Sequence, residues 1–271
     1  MKMKGIMPME DIIDFHLNVN LDTFFSNIIN AENFDIYYSD VIEDQYWNYA
    51  YLKKGDIDLE NTIKEIILKM EQINRKPVIY ITSNIMNEKL EYDINRLKLN
   101  LLSTDCWMSL ENLNEFKTYK SNFDFSIYKV DKELQNTFIK AVMDGFSGDD
   151  PDDPYGKLPE GYRISYKKIF QKKWEDDIKI INYIGMKSDK TVGTATVVNN
   201  KSKALIYNIT TLKEYKRKGV CKQIMSNMIN ELNNLNIKEV WLQTEKGYYP
   251  EEVYRKIGFK EKFLGKAYAL L

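Results

Sequence analysis

Histidine and cysteine are scarce in this 271-residue chain: His16 is the single histidine, and Cys106 and Cys221 are the two cysteines. Residues so few and so far apart cannot supply the nitrogen and sulfur ligands of an ordinary zinc site, so we expect no metal. A serine or cysteine hydrolase is disfavoured too, because its base would have to be His16, which we interpret as a structural residue. The simplest expectation for the cysteines is a cytoplasmic protein with both thiols reduced.

Long apolar runs and an excess of charge of one sign are also lacking. No apolar segment approaches the ~20 residues that a membrane helix needs, and the first residues do not predict a signal peptide. The chain has 39 basic and 40 acidic residues, so its formal net charge is −1. Because no global positive field exists, we expect neither nucleic acid nor a membrane as a partner. Any positive site must be local.

What the chain does have is material for packed cores, since 44% of its residues are hydrophobic and 13% are aromatic. Apolar periodicity lapses between Phe116 and Asn122, which predicts two domains, residues 1–120 and 121–271. In the first domain, apolar spacing predicts two helices between residues 9 and 34, broken near residues 18–20. Strands, a helix capped by Asp58, a strand, a second helix and further extended chain follow.

The second half starts a new series of elements. The pattern predicts a strand, two helices, three antiparallel strands, a basic loop, a helix, a strand, a short helix and a closing strand. The three strands end at the stretch 203–211, and an amphipathic helix begins near Lys222. We therefore predict a mixed α/β fold, with a mostly antiparallel sheet flanked by helices.

The basic loop before that amphipathic helix is the most informative stretch. Lys216, Arg217, Lys218 and Lys222 surround Gly219, although acidic residues are the usual choice in a first helical turn. The first N–H groups of a helix lack partners, and the helix dipole favours an anion there. Gly219 allows close approach of the backbone. The loop therefore predicts a phosphate site, whereas the same residues taken alone also fit a solvated charged loop.

Two motifs on correctly ordered elements resemble the GNAT superfamily of N-acetyltransferases. The pyrophosphate loop of that family reads Arg or Gln, two residues, Gly, one residue, then Gly or Ala. Here Lys216 and Cys221 depart from that pattern, with Arg217, Lys218, Gly219 and Val220 between them. The second motif matches Val253, Tyr254, Arg255, Lys256, Ile257, Gly258 and Phe259. The resemblance implies a GNAT fold for residues 121–271, with acetyl-CoA as co-substrate and no metal.

The resemblance also implies roles for individual residues. Tyr254 would be the general acid that protonates the coenzyme A thiolate, although a Tyr that only packs the helix onto the sheet is the alternative. Backbone groups near Ile209, Thr210 and Thr211 would hold the pantetheine arm, because their strand should splay at its end. The family often has Asn before the last helix, where this chain has Tyr248 and Tyr249, and Tyr248 is our candidate cofactor contact.

The acceptor is predicted to be a primary amine of a small molecule or peptide. Asp149, Asp150, Asp152 and Asp153 lie between the first two helices of the second half and would favour a cationic acceptor, unless that loop is merely solvated. No general base is evident from the sequence.

The first half resembles a degenerate GNAT-type unit without a phosphate loop, so the chain would be a tandem. That lobe would shape the acceptor cleft or a homodimer interface. The alternatives are a module that senses acyl-CoA or binds a protein without catalysis, and a transferase of a larger acyl group.

Overall fold

A computed structural model describes residues 10–146 and 156–270 of the chain. Backbone contacts divide it into two compact units: unit 1 contains the chain up to Leu102 together with residues from Lys266 onward, and unit 2 contains Ser103–Gly265. The domain boundary predicted after residue 120 therefore falls inside unit 2. The physical reason is that the strand around residues 105–111 pairs within unit 2, as described below.

Unit 1 begins with the helix that the apolar spacing predicts, but the second predicted helix is a turn and a short strand. That strand forms because Ile29 lies opposite Ile36 in an antiparallel pair, which overrides the local helical spacing. The next two helices begin at acceptor side chains: Asp58 accepts from Asn61 N, and Asn87 accepts from Leu90 N. The elements are α1 (Glu10–Asn20), β1 (Asn27–Asn30), β2 (Phe34–Tyr38), β3 (Asn48–Leu52), α2 (Leu59–Gln72), β4 (Val78–Thr82) and α3 (Glu88–Arg96).

The strands of unit 1 form an antiparallel meander, β1-β2-β3, followed by β4 parallel to β3. One buried cluster joins the sheet to α2 and contains Phe34, Ile36, Ile66 and Ile79. His16 is buried on α1, as its interpretation as a structural residue predicts. Burial lowers the pKa of His16 to about 4, so its ring is neutral at pH 7.

Unit 2 follows the predicted order of elements. The strand β5 (Asn100–Glu111) links the two units along the chain, and the remaining elements are β6 (Ser126–Lys129), α4 (Gln135–Gly145), α5 (Glu160–Gln171), β7 (Lys179–Lys187), β8 (Lys190–Asn199), β9 (Lys203–Thr211), α6 (Val220–Asn234), β10 (Glu239–Glu245), α7 (Tyr249–Ile257) and β11 (Lys260–Ala269).

The sheet of unit 2 has the order β5-β10-β9-β8-β7-β6. Its pairs are antiparallel except β9 with β10, which are parallel and joined by the crossover helix α6. The apolar face of α6, with Ile224, Met225 and Met228, packs into the main buried cluster. The fold class is therefore the predicted one, a mixed and mostly antiparallel sheet flanked by helices.

The two units share an element order. The order β1-β2-β3-α2-β4-α3 in unit 1 repeats β7-β8-β9-α6-β10-α7 in unit 2. The next strand after α3 is β5, yet its residues from Asp105 onward pair with β10. The residues after Gly265 belong instead to unit 1, where Leu270 N donates to Pro77 O at 3.1 Å.

No helix within residues 10–146 and 156–270 has the length and apolar character that crossing a membrane requires.

Candidate functional site

An opening between two parallel strands of unit 2 organises the candidate site. The strands β9 and β10 pair from Lys203 with Glu239 up to Ile206 with Leu242. Both strands continue past this point, β9 to Thr211 and β10 to Glu245, without further pairing to each other. The predicted pantetheine-contacting residues, Ile209, Thr210 and Thr211, lie in the part of β9 beyond the last pair. Their backbone thus has β8 on one side only.

A bulge in β9 follows the last residue that pairs with β10. Thr194 lies opposite Thr210 and Thr196 opposite Tyr207, so β9 has one extra residue there. The bulge contains Asn208, whose φ of 53° is left-handed. Its side chain is held on two sides, because Tyr166 Oη donates to Asn208 Oδ1 and Asn208 Nδ2 donates to Thr196 Oγ1, both at 3.0 Å. Side-chain hydrogen bonds therefore stabilise the bulge next to which the two strands stop pairing.

The end of α4 also lies against this part of β9. A Cβ added to Gly145 would be 2.5 Å from the Cβ of Thr210, so the helix and the strand are in backbone-close contact. The hydroxyl oxygen of Thr211 is buried and has no hydrogen-bond partner among the described residues. A polar ligand in the opening could satisfy that hydroxyl.

The basic loop after β9 ends at the start of α6. Arg217 and Gly219 both have left-handed backbones, with φ of 63° and 78°. The first hydrogen bond of α6 runs from Gln223 N to Gly219 O at 3.0 Å. The N–H groups of Val220, Cys221 and Lys222 come before that bond and have no acceptor within the helix. The Val220 side chain is buried, so this residue can offer a ligand its N–H group only.

The cations of the loop are available for an anion. In the part of the chain that the structure describes, Arg217, Lys218 and Lys222 have no carboxylate partner. Two of them lie over aromatic rings instead: Lys222 Nζ is 4.5 Å from the centre of the Tyr119 ring, and Lys218 Nζ is 5.3 Å from that of Phe123. Burial lowers the pKa of Lys216. The loop thus concentrates positive charge at the start of α6.

Residues 116–122, which the sequence analysis interprets only as a domain boundary, pack along α6 and onto the loop. Tyr119 N donates to Ser226 Oγ at 2.8 Å, and Ser121 N donates to Gln223 Oε1 at 2.7 Å. Ser121 Oγ donates to Lys218 O. A Cβ added to Gly219 would lie 2.6 Å from Tyr119 Oη. The segment lacks periodicity, so no signal in the sequence indicates this contact.

The predicted acid, Tyr254, lies on α7 and packs into the buried cluster that contains the apolar face of α6. Its side chain is 8% exposed. Burial raises the pKa of the Tyr254 hydroxyl, and the neighbouring Cys221 raises it further, so the phenol is protonated at pH 7. Burial also raises the pKa of the Cys221 thiol, to about 12. Tyr248, in contrast, is 41% exposed at the start of α7.

A compact charge cluster anchors the first turn of α7. Glu251 Oε2 accepts from Gly247 N at 2.7 Å, and Glu251 Oε1 is 2.6 Å from Arg255 Nη2 and 3.0 Å from Lys246 Nζ. Glu261 Oε2 accepts from the same two cations at 2.7 and 2.5 Å. The thiol of Cys106 lies 3.6 Å from Glu261 Oε2 and 3.9 Å from Glu251 Oε1. Both carboxylates are thus engaged by cations, and the cluster holds the helix that carries Tyr254.

The carboxylates predicted to bind the acceptor, Asp149, Asp150, Asp152 and Asp153, lie outside the described residues.

Three comparisons with known proteins bear on this site. Residues 159–266 match a family model described as the acetyltransferase (GNAT) domain. A comparison with curated protein sequences found no match. A solved GCN5-related N-acetyltransferase from Kribbella flavida is 13% identical with a TM-score of 0.68, covering 98% of this chain and 96% of that one. A functionally unknown conserved protein from Staphylococcus epidermidis ATCC 12228 is 16% identical with a TM-score of 0.65, covering 89% and 92%.

A tandem GNAT protein from the clavulanic acid biosynthesis pathway is 8% identical with a TM-score of 0.57, covering 87% of this chain and 77% of that one. At such identities the solved structures bear on the fold alone. The family model identifies a GNAT acetyltransferase domain at residues 159–266 of the chain. The predicted resemblance is therefore confirmed.

Proposed function

We propose that this protein is an N-acetyltransferase that moves the acetyl group of acetyl-CoA to a primary amine of a small molecule or peptide by direct attack. The observation that carries the proposal is the start of α6. The N–H groups of Val220, Cys221 and Lys222 have no acceptor within the helix and would favour an anion. Cations without carboxylate partners lie around them, beside the open end of β9.

The residues present fit coenzyme A. The N–H groups of the first turn of α6, with Arg217, Lys218 and Lys222, would bind the pyrophosphate. The backbone of Ile209–Thr211 has one free side and would hold the pantetheine arm, and the buried Thr211 hydroxyl would gain a hydrogen-bond partner. Lys216 and Tyr248 are further candidate contacts. When bound, acetyl-CoA supplies an acetyl thioester, which an amine can attack without a covalent enzyme intermediate.

Tyr254 would give its proton to the leaving sulfur. A general acid must be protonated before the reaction, and a phenol with its ordinary pKa near 10 already is at pH 7. Burial raises the pKa of Tyr254 further. The neighbouring thiol of Cys221, whose pKa is raised to about 12, would also stay neutral and would not compete as a nucleophile.

Unit 1 supports the interpretation of the chain as a tandem. It repeats the meander, helix, parallel strand and helix of unit 2. Its crossover helix α2, however, begins with Asp58 as N-cap and Glu60 in the first turn, where a phosphate would be repelled. We propose that unit 1 is a GNAT-type unit without a coenzyme A site, and that acetyl transfer belongs to unit 2 alone.

The first test of the proposed activity is release of free thiol from acetyl-CoA with a panel of polyamines, aminoglycosides, amino acids and peptides. We expect Tyr254→Phe to lower kcat by about 100-fold, which is the usual contribution of a positioned acid. Its matched control is Tyr249→Phe on the same helix, where the side chain is 49% exposed. Binding of acetyl-CoA without thiol release by the wild-type protein would favour a non-catalytic acyl-CoA-sensing module instead.

The second test addresses the loop. The double variant Arg217→Ala/Lys218→Ala loses two exposed charges, each worth up to about 1 kcal/mol. We expect the Kd for acetyl-CoA to rise by about tenfold in calorimetry. Lys213→Ala, on the turn just before the loop, is the control. An unchanged Kd in the double variant would contradict the phosphate site.

A further inference from the structure

Asn208, the left-handed residue in the bulge of β9, is fixed by hydrogen bonds at three of its atoms. Tyr166 Oη on α5 donates to Asn208 Oδ1, and Asn208 Nδ2 donates to Thr196 Oγ1, both at 3.0 Å. Thr194 Oγ1 donates to the backbone oxygen of Asn208 at 2.9 Å. Asparagine is one of the few residues that adopt a left-handed backbone at small cost, and its φ is 53° here. The shape of the bulge therefore depends on these bonds as well as on the residue type.

The hydrogen bonds continue across the sheet as one buried chain. Thr196 Oγ1 donates to Asn182 Oδ1 at 2.7 Å, and these two residues lie directly opposite each other on β8 and β7. Each donor from Tyr166 through Asn208 to Thr196 thus meets an acceptor. Tyr166, Thr196 and Asn182 are buried, and a buried polar group that loses its partner is costly. Helix α5 is therefore linked to three strands at the bulge.

This chain of hydrogen bonds acts on one end of the proposed cofactor site. Asn208 immediately precedes Ile209–Thr211, whose backbone has β8 on one side only. Since the φ angle of Asn208 sets the direction of the strand that follows, an extended backbone there would reorient the N–H groups of these residues. The loop residues 216–222, at the start of α6, form the other end of the site.

We propose that Tyr166 is a positioning residue for the acyl end of acetyl-CoA. Through Asn208 it holds the bulge in the shape that presents the backbone of Ile209–Thr211 to the pantetheine arm and the thioester. This inference rests on the proposed acetyltransferase function. Tyr166 takes part in no bond making or breaking, because it acts on the cofactor through the strand. Loss of its hydroxyl should therefore weaken binding of the acyl end and leave binding of the nucleotide end as it is.

The test compares acetyl-CoA with adenosine 3′,5′-bisphosphate, which carries the nucleotide end of the cofactor but no pantetheine arm. In Tyr166→Phe, which keeps the ring and loses the donor, we expect the Kd for acetyl-CoA to rise by about fivefold, the effect of one hydrogen bond. The Kd for adenosine 3′,5′-bisphosphate should change by less than about twofold, because sites that share no partners do not couple. With an amine that supports thiol release, kcat should fall by about tenfold, since a displaced thioester reacts more slowly.

The matched control is Tyr183→Phe, which also removes a buried phenol hydroxyl. Tyr183 Oη donates to Glu231 Oε2 of α6 at 2.9 Å, so this variant loses a hydrogen bond of similar length that does not hold the bulge. We expect the Kd for both ligands to change by less than about twofold in Tyr183→Phe. If Tyr166 only supported the fold, the two variants would behave alike.

Asn208→Gly tests whether Tyr166 acts through Asn208. Glycine keeps the left-handed backbone but makes neither side-chain bond. In an Asn208→Gly background, Tyr166→Phe should therefore change the Kd for acetyl-CoA and kcat by less than about twofold. Additive effects of the two substitutions would overturn the role of Tyr166.

Two other results would also decide against the inference. Equal weakening of both ligands in Tyr166→Phe, or an unchanged Kd for acetyl-CoA together with an unchanged kcat, would overturn it, whereas retained binding of adenosine 3′,5′-bisphosphate shows that the variant is folded. Failure of the wild-type protein to bind acetyl-CoA is a separate outcome, which would contradict the proposed function itself and this inference with it.

Discussion

The contact between Gly219 and Tyr119 gives a sharp test of how the loop is held. Gly219→Ala introduces a Cβ at a left-handed φ of 78°, which costs roughly 1 kcal/mol. The same Cβ would lie 2.6 Å from Tyr119 Oη and 3.1 Å from Ser121 Oγ. Tyr119 cannot move away freely, since its backbone N–H is bound to Ser226. We expect a further cost of about 1 kcal/mol from displacing it, or about 2 kcal/mol in total.

Gly247→Ala separates the two contributions. Gly247 has a left-handed φ of 86°, yet a Cβ there would meet no atom within 4 Å. Its substitution should therefore cost only the backbone strain of roughly 1 kcal/mol. Tyr119→Phe should cost less than about 0.5 kcal/mol, as expected for a change outside the core. In the double variant Tyr119→Phe/Gly219→Ala the removed hydroxyl should restore about 1 kcal/mol, a coupling that a double-mutant cycle can resolve.

Urea unfolding of the four variants and the wild type measures these free energies, and calorimetry with acetyl-CoA measures the consequence for binding. Because the clash with Tyr119 would displace the start of α6, we expect Gly219→Ala to weaken acetyl-CoA binding more than Gly247→Ala does. The reasoning fails if Gly219→Ala costs no more than Gly247→Ala, or if Tyr119→Phe restores nothing. Either result would mean that residues 116–122 do not constrain the loop.

Two predictions concern pH and stability. The pKa of His16 falls to about 4 on burial, below its unfolded value of about 6.5, so protons bind the unfolded chain more tightly and stability is lost as the pH drops. Between pH 7 and 5 the free energy of unfolding should decrease by about 2 kcal/mol from this group, and His16→Phe should remove that slope in urea titrations. Burial raises the pKa of Glu251, but hydrogen bonds from Gly247, Arg255 and Lys246 outweigh it and lower the pKa to about 2. The contribution of Glu251 to the free energy of unfolding is fully present above its unfolded pKa of about 4.3, and about 2 kcal/mol of it should be lost between pH 6 and 3. If the wild-type protein and Glu251→Gln lost the same free energy of unfolding over this pH range, the prediction would be contradicted.

The order of elements in unit 2 could be predicted from the sequence because each element carries its own periodicity. The loop could be predicted for the same reason, since Gly219 and the basic residues around it are adjacent in the chain. The secondary structure of unit 1 was harder to predict from the sequence. The apolar spacing after residue 20 predicts a helix, and only the pairing of β1 with β2 selects a strand, a choice that depends on residues elsewhere in the chain.

By itself, then, the sequence determined the fold of the second half and the basic composition of its loop, because both depend on short, contiguous patterns of residues. The tertiary structure decided what depends on residues distant in sequence. It brought Thr104 to Glu245, 141 positions away, left one oxygen of Glu245 without a protein donor, and set Tyr119 against Gly219. It also assigned β5 to the sheet of unit 2, which moved the boundary between the units. Burial and partner choice arise only when separate strands and helices pack, so no local pattern could have specified them.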